Sequence, residues 1–198
     1  MAEKAALRKQ SLARRAALAD REIRAARIAT RVAELPSFQQ ARLLSSYVGV
    51  GEEVATASLV ESCFEHHRPV AVPWVGRGEL HLTLIRSLEE LEGASFGLLE
   101  PRPELKHSAE RQVDPAAVSL YLVPGLAFDR HGGRVGFGKG YYDGLLRRAG
   151  KGPLRVALCF EVQLVDHVPM NDRDEPMDLV VTEEAVYRVS SRTVSVDL

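Results

Sequence analysis

The segment AVSLYLVPGLAF at 117–128 opens as an almost unbroken apolar run. A strand of that kind is buried on both faces, the pattern of the centre of a parallel sheet. Parallel strands need crossover connections, mostly helical, so this run points to an α/β architecture. PVAVPWV at 69–75, LHLTLIR at 80–86, LRVALCF at 154–160 and DLVVT at 178–182 read as further strands. ARLLSSYVGV at 41–50 reads as an earlier strand, and VYRVS at 186–190 as an edge strand.

Helical patterns alternate with these strands. Residues 3–18 are rich in Ala, Leu, Lys and Arg, all strong helix formers. Asp20 is the expected N-cap of a second helix, with Ile23, Ile28, Val32 and Leu35 on its apolar face and Pro36 as its stop. Further helices are expected over 54–67 and 141–148. The stretch from Glu89 to Pro115 shows no period and carries Pro101, Pro103 and Pro115. It reads as an irregular surface excursion, with FGLLEP at 96–101 as its compact part. No repeat or linker divides the chain, and 198 residues suit one domain, 1–198.

Composition narrows the function classes. A formal net charge of −1 argues against a protein built to grip nucleic acid. No apolar run is long enough to span a bilayer, and no signal core opens the chain, so no membrane partner and a cytoplasmic location are expected. Cys63 and Cys159 form no CxxC pair and read as reduced, buried thiols. There is no HExxH for zinc and no GxSxG elbow.

The chemistry concentrates after the apolar run. Gly132-Gly133-Arg134-Val135-Gly136-Phe137-Gly138-Lys139-Gly140 holds five glycines in nine residues and leads into a helix at Tyr141. Such a loop turns sharply and exposes its amides at a helix start, where an anion is favoured. Lys139 and Arg134 add full positive charges. Gly133 to Lys139 fits GxxxxGK, but Gly140 stands where a P-loop has Ser or Thr. Gly136, Gly138 and Gly140 give GxGxG, not the dinucleotide GxGxxG. A polyphosphate cradle and a tight structural turn are both readings of such a loop; the charged groups favour the cradle. Asp143 reads either as a magnesium ligand beside that phosphate or as a first-turn acid stabilised by the helix dipole.

VPGLAFDRHGGRVGFGKGYYDGLL at 123–146 resembles the signature of the 5-formyltetrahydrofolate cyclo-ligases. EKAALR at 3–8, GEEVAT at 51–56, LLEP at 98–101 and FEVQLVDHVPMNDRDEPMDLVVT at 160–182 resemble further blocks of that family, in order. The resemblance implies a three-layer, Rossmann-like α/β/α fold with a mostly parallel sheet and an N-terminal helical segment. It implies ATP as co-substrate, Mg2+, and a folate as the small-molecule partner; a monomer is the expected state. By this resemblance Lys4, Arg8, Arg134, Val135, Gly136, Phe137, Gly138, Lys139, Gly140, Tyr141 and Tyr142 contact ATP, and Lys139 with Arg134 serves the phosphoryl transfer. Asp143 and Asp174 hold the metal, with Asp172 and Asp178 as competitors. Glu53 and Val48 meet the folate together with Phe137, Gly138, Lys139, Gly140 and Tyr141, and Glu52 adjoins Glu53. Ala55 and Trp74 depart from the family pattern, at positions that bear on the folate pocket. The chief alternatives are another ATP-dependent ligase or kinase, and a non-catalytic protein whose basic N-terminal helix binds RNA.

Overall fold

The strands sort their side chains by strict alternation. In Leu120–Val123, Leu120 and Leu122 join one buried cluster while Tyr121 and Val123 join another. Leu154–Leu158 divides likewise, Val156 and Leu158 against Ala157, as does Leu179–Val181, with Val180 facing the second cluster. A strand apolar on both faces must be covered on both, which makes the sheet the middle of three layers.

The computed structural model describes residues 2–49, 51–93 and 99–189. Its elements, in chain order, are α1 (Ala2–Ala16), α2 (Arg21–Ala33), α3 (Pro36–Gln39), β1 (Leu44–Ser45), α4 (Ala57–Glu65), β2 (Val70–Gly76), β3 (Glu79–Ile85), β4 (Leu91–Gly93), β5 (Leu99–Pro101), α5 (Pro103–Lys106), β6 (Leu120–Val123), β7 (Ala127–Phe128), β8 (Arg134–Val135), α6 (Tyr141–Ala149), β9 (Leu154–Leu158), β10 (Leu179–Val181) and β11 (Val186–Arg188). The main sheet has seven strands in the order β11-β10-β9-β6-β1-β2-β3. The four inner pairings are parallel; β3 and β11 close the edges antiparallel. Ile28 and Val32 of α2, Phe38 of α3 and Leu59, Val60 and Cys63 of α4 cover one face. Leu145, Leu146 and Ala149 of α6 cover the other.

The order reverses between β1 and β6. From β1 the chain crosses through α4 to β2 on one side; from β6 it crosses through α6 to β9 on the other. At such a switch point the loops leaving two neighbouring strands part company and leave a crevice at the carboxyl edge. The loops here are 46–56 and 124–140.

Several local expectations need correction. Asp20 occupies the N-cap position of α2, but with φ 54 and ψ 33 its side chain makes no capping bond. Arg21 instead donates to the carbonyls of Arg15 and Ala16 and so serves the end of α1. Ile23 is 58% exposed, so the buried face of α2 is Ala25, Ile28 and Val32. The strand expected over 41–50 keeps only Leu44–Ser45 in the ladder, because the chain peels away toward the crevice; Val50 lies outside the described residues. Within 89–115 the antiparallel pair β4–β5 and the short α5 form, elements too brief to leave a period; residues 96–98 of FGLLEP lie outside the described residues. The edge strand is Val186–Arg188, and Ser190 lies outside the described residues. Both cysteines are free and buried.

Candidate active site at the switch point of the sheet

The glycine loop does not spring directly from β6. A small antiparallel hairpin, β7–β8, comes first, pairing Phe128 with Arg134 and Ala127 with Val135. Asp129 locks its turn. The carboxylate is 1% exposed and accepts the N–H groups of His131 (2.9 Å), Gly133 (2.8 Å) and Val168 (2.7 Å). A Cβ on Gly133 would stand 2.6 Å from an Asp129 carboxylate oxygen, so no side chain fits there. Three bonds to backbone amides fix the start of the loop to the segment at 168.

Beyond β8 the amides of Phe137, Gly138, Lys139 and Gly140 donate to no group among the described residues. Gly140 is the N-cap of α6, so further unpaired amides of the first helical turn follow. Helix α1 runs across this loop. Arg8 Nε donates to the Gly136 carbonyl at 2.8 Å. Gly138 has φ +96, and a Cβ there would lie 3.2 Å from the Arg8 guanidinium. Only glycine suits both that backbone and that neighbour.

Two ion pairs frame the loop. Lys4 Nζ lies 2.5 Å from Asp174 Oδ2, with both side chains largely buried. Arg134, 6% exposed, donates to Asp143 Oδ1 at 2.8 Å and lies over the Tyr142 ring. Asp143 Oδ1 also accepts the N–H of Glu175 at 3.2 Å. Asp143 therefore touches the residue next to Asp174, and the two carboxylates reach one neighbourhood from α6 and from the 171–176 loop. Of their competitors, Asp178 is buried and accepts the Arg155 N–H, while Asp172 is exposed.

The loop after β1 supplies the opposite wall. Tyr47 OH donates to the Val54 carbonyl at 3.1 Å, and Thr56 Oγ1 donates to the Tyr47 carbonyl at 2.5 Å. These bonds tie Tyr47 to Val54 and Thr56, next to Glu52 and Glu53. Glu52 lies 3.7 Å from Arg15 Nε. Burial, first, and the Glu53 carboxylate, second, push the hydroxyls of both Tyr47 and Tyr142 well above the ordinary tyrosine value. The Glu53 charge thus bears on a tyrosine in the first turn of α6 as well as on Tyr47.

The remaining expected residues fall into two groups. Lys139 is exposed and makes no hydrogen bond or ion pair among the described residues, and Phe137 is 63% exposed beside it. Tyr141 is half-buried at the start of α6. Val135 and Val48 are buried, Val135 packing with Ala127 and Val168, so their side chains serve the core. Sequence reasoning missed Asp129, Arg15 and Arg155. Arg155 is 1% exposed in β9 and bonds to Glu175 (2.8 Å) and to the carbonyls of Leu146 and Gly150, pinning the 171–176 loop to the end of α6. The Asp-Arg-His-Gly-Gly turn was the one signal that pointed to Asp129.

A doubly wound sheet with a glycine loop at its switch point places the chain in the Rossmann-like α/β class. More specifically, residues 1–183 match the 5-formyltetrahydrofolate cyclo-ligase family, and the chain belongs to that family of ligase enzymes. A probable 5-formyltetrahydrofolate cyclo-ligase of Caenorhabditis elegans is 28% identical over 163 residues, 77% of this chain and 78% of that protein. The mitochondrial 5-formyltetrahydrofolate cyclo-ligase of Arabidopsis thaliana is 32% identical, over 81% of this chain and 66% of that protein. The structure of Aquifex aeolicus 5,10-methenyltetrahydrofolate synthetase superposes with a TM-score of 0.81 at 31% identity, covering 96% of this chain and 94% of that one. No helix among the described residues is long and apolar enough to cross a membrane.

Proposed function

We propose that the protein converts 5-formyltetrahydrofolate to 5,10-methenyltetrahydrofolate, consuming ATP and releasing ADP and phosphate. One observation carries this reading. Lys4, Arg8, Glu53, the 134–143 loop and Asp174, scattered along the sequence, converge on the β1/β6 crevice.

The chemistry needs an activated oxygen. A formamide oxygen is a poor leaving group, because amide resonance ties it to carbon. Its attack on the γ-phosphorus of ATP forms an O–P bond, breaks the bond to the β-γ bridging oxygen and releases ADP. The second folate nitrogen then attacks the formyl carbon and closes the ring. The C–O bond breaks, phosphate departs with the formyl oxygen, and that nitrogen's proton passes to solvent. The protein's part is positioning and charge stabilisation. The unpaired amides of 137–140 and the Lys139 ammonium face the triphosphate, and Lys139 follows the transferred group. Arg8 and Lys4 hold the loop and the nucleotide from above. Arg134 fixes Asp143 and the Tyr142 ring. Glu53 accepts from the amine and N–H of the pterin edge. Asp143 and Asp174 offer carboxylate oxygens, the donor type that magnesium takes, and the N–H of Glu175, the residue after Asp174, binds Asp143. Bound magnesium supplies charge neutralisation for the triphosphate. In this reading the enzyme acts as a monomer in the cytoplasm.

The test is to incubate the protein with 5-formyltetrahydrofolate and follow methenyltetrahydrofolate by its near-ultraviolet absorbance. Product is expected only when both ATP and magnesium are present. Folded protein that binds ATP yet forms no product would overturn the assignment.

A further inference from the structure

The inward face of α1 is a polar stripe. Lys4, Arg8, Ser11 and Arg15 follow at helical spacing; Lys4 and Arg8 bond across to the far wall, while Ser11 and Arg15 are buried. At about 1.5 Å per residue the stripe runs roughly 16 Å, from the phosphate loop to the turn that presents Glu53. Lys4 and Arg8 at one end have hydrogen-bonded partners. Arg15 at the other end has none among the described residues.

Arg15 is 6% exposed, and its Nε is sealed from solvent with no hydrogen-bond partner. Its one ionic neighbour among the described residues is Glu52, at 3.7 Å, too far for a hydrogen bond. A guanidinium N–H buried without an acceptor is costly. Glu52, whose side chain is 37% exposed, balances the charge without accepting a hydrogen bond from Nε. Glu53 sits between Glu52, the ionic neighbour of Arg15, and Val54, whose carbonyl takes the Tyr47 hydroxyl; beside the larger effect of burial, Glu53 raises the pKa of that hydroxyl and Arg15 lowers it.

The pterin edge of a folate presents three groups in a row: an exocyclic amine, a ring N–H and a carbonyl oxygen. A carboxylate accepts from the first two and leaves the carbonyl in need of a donor. We propose that Arg15 supplies it: its guanidinium hydrogen-bonds the pterin 4-oxo group while Glu53 takes the neighbouring amine and N–H, so that α1 reads the folate as well as the nucleotide. This rests on the folate reading above. Glu52 then holds the Arg15 charge in place before the substrate arrives.

The experiment compares dissociation constants, without ATP, for 5-formyltetrahydrofolate and its 4-amino-4-deoxy counterpart, in which a donor replaces the carbonyl acceptor and the neighbouring ring nitrogen loses its hydrogen. Wild-type protein is expected to prefer the 4-oxo compound by about tenfold or more, the weight of one charge-assisted hydrogen bond. Arg15→Met keeps the stem but removes every donor, and is expected to cut that preference about tenfold, the Glu53 share remaining, while leaving affinity for a non-hydrolysable ATP analogue within about twofold, a fold-change well below one hydrogen bond. A wild-type protein that binds both folates equally overturns the inference without recourse to any variant. So does an Arg15→Met protein that keeps the wild-type preference, or one that loses folate and nucleotide affinity in equal proportion. Wild-type protein that binds neither folate would instead overturn the folate reading itself.

Discussion

Lys139 and Arg134 lie on one loop in opposite surroundings. Lys139 is exposed and unpaired among the described residues, whereas the Arg134 side chain is 4% exposed and bound to Asp143. Lys139→Met is therefore expected to leave stability within about 0.5 kcal/mol while lowering kcat at least about a hundredfold. Arg134→Met strips a largely buried carboxylate of its cation and is expected to cost about 3–5 kcal/mol in urea unfolding as well. Equal loss of stability in both variants would contradict this division. Tyr47 and Tyr142 give a pH signature. Their folded pKa values are raised, chiefly by burial, so the stability they contribute is intact below the unfolded tyrosine value of about 10. It is lost as pH rises beyond that value. The melting temperature should fall above about pH 10, and less steeply in Tyr47→Phe. Lys139 and Asp143 were legible in the sequence because they sit inside a dense motif. Arg15 was not, because it is one of nine Lys/Arg in the first 32 residues, and burial is decided by what packs on the helix.

At the scale of elements, α1 and the 171–176 loop share the cations and carboxylates of the proposed site. Lys4 and Arg134 now hold Asp174 and Asp143, the proposed metal ligands. Nucleotide phosphates and a divalent cation compete for opposite members of the same pairs. Each ligand should thus help the other bind. In calorimetry, magnesium alone is expected to bind weakly, and an ATP analogue at least about fivefold more tightly with magnesium than without, the low end of measured couplings. Lys4→Met frees Asp174 and should reduce that ratio. A ratio of one in wild-type protein would contradict the coupling. The sequence announced α1 as a basic helix but not its polar inward face, because amphipathic reasoning assigns apolar residues to the buried side. The elements between Glu89 and Pro115 were illegible for another reason: strands of three residues, such as β4 and β5, are too short to show alternation.

At the scale of the whole molecule, one sheet carries both clusters, and α1 bridges loops from several strands. We expect the chain to unfold in one cooperative transition, with far-ultraviolet circular dichroism and the fluorescence of Trp74 giving coincident urea curves. Separate midpoints would argue for α1 and the α/β core as independent units. The α/β class and parallel centre were legible from the apolar run at 117–128, since only a doubly covered strand tolerates it. The order β11-β10-β9-β6-β1-β2-β3 was not, because it depends on which side each crossover packs. That order creates the crevice on which the functional reading rests.

The central claim is that the formyl oxygen itself receives the γ-phosphoryl group. The direct measurement uses 5-formyltetrahydrofolate labelled with ¹⁸O in the formyl group and analyses the released phosphate by mass spectrometry. Phosphate carrying one ¹⁸O from each labelled substrate is the predicted result. Unlabelled phosphate, with the ¹⁸O found in water, would contradict it.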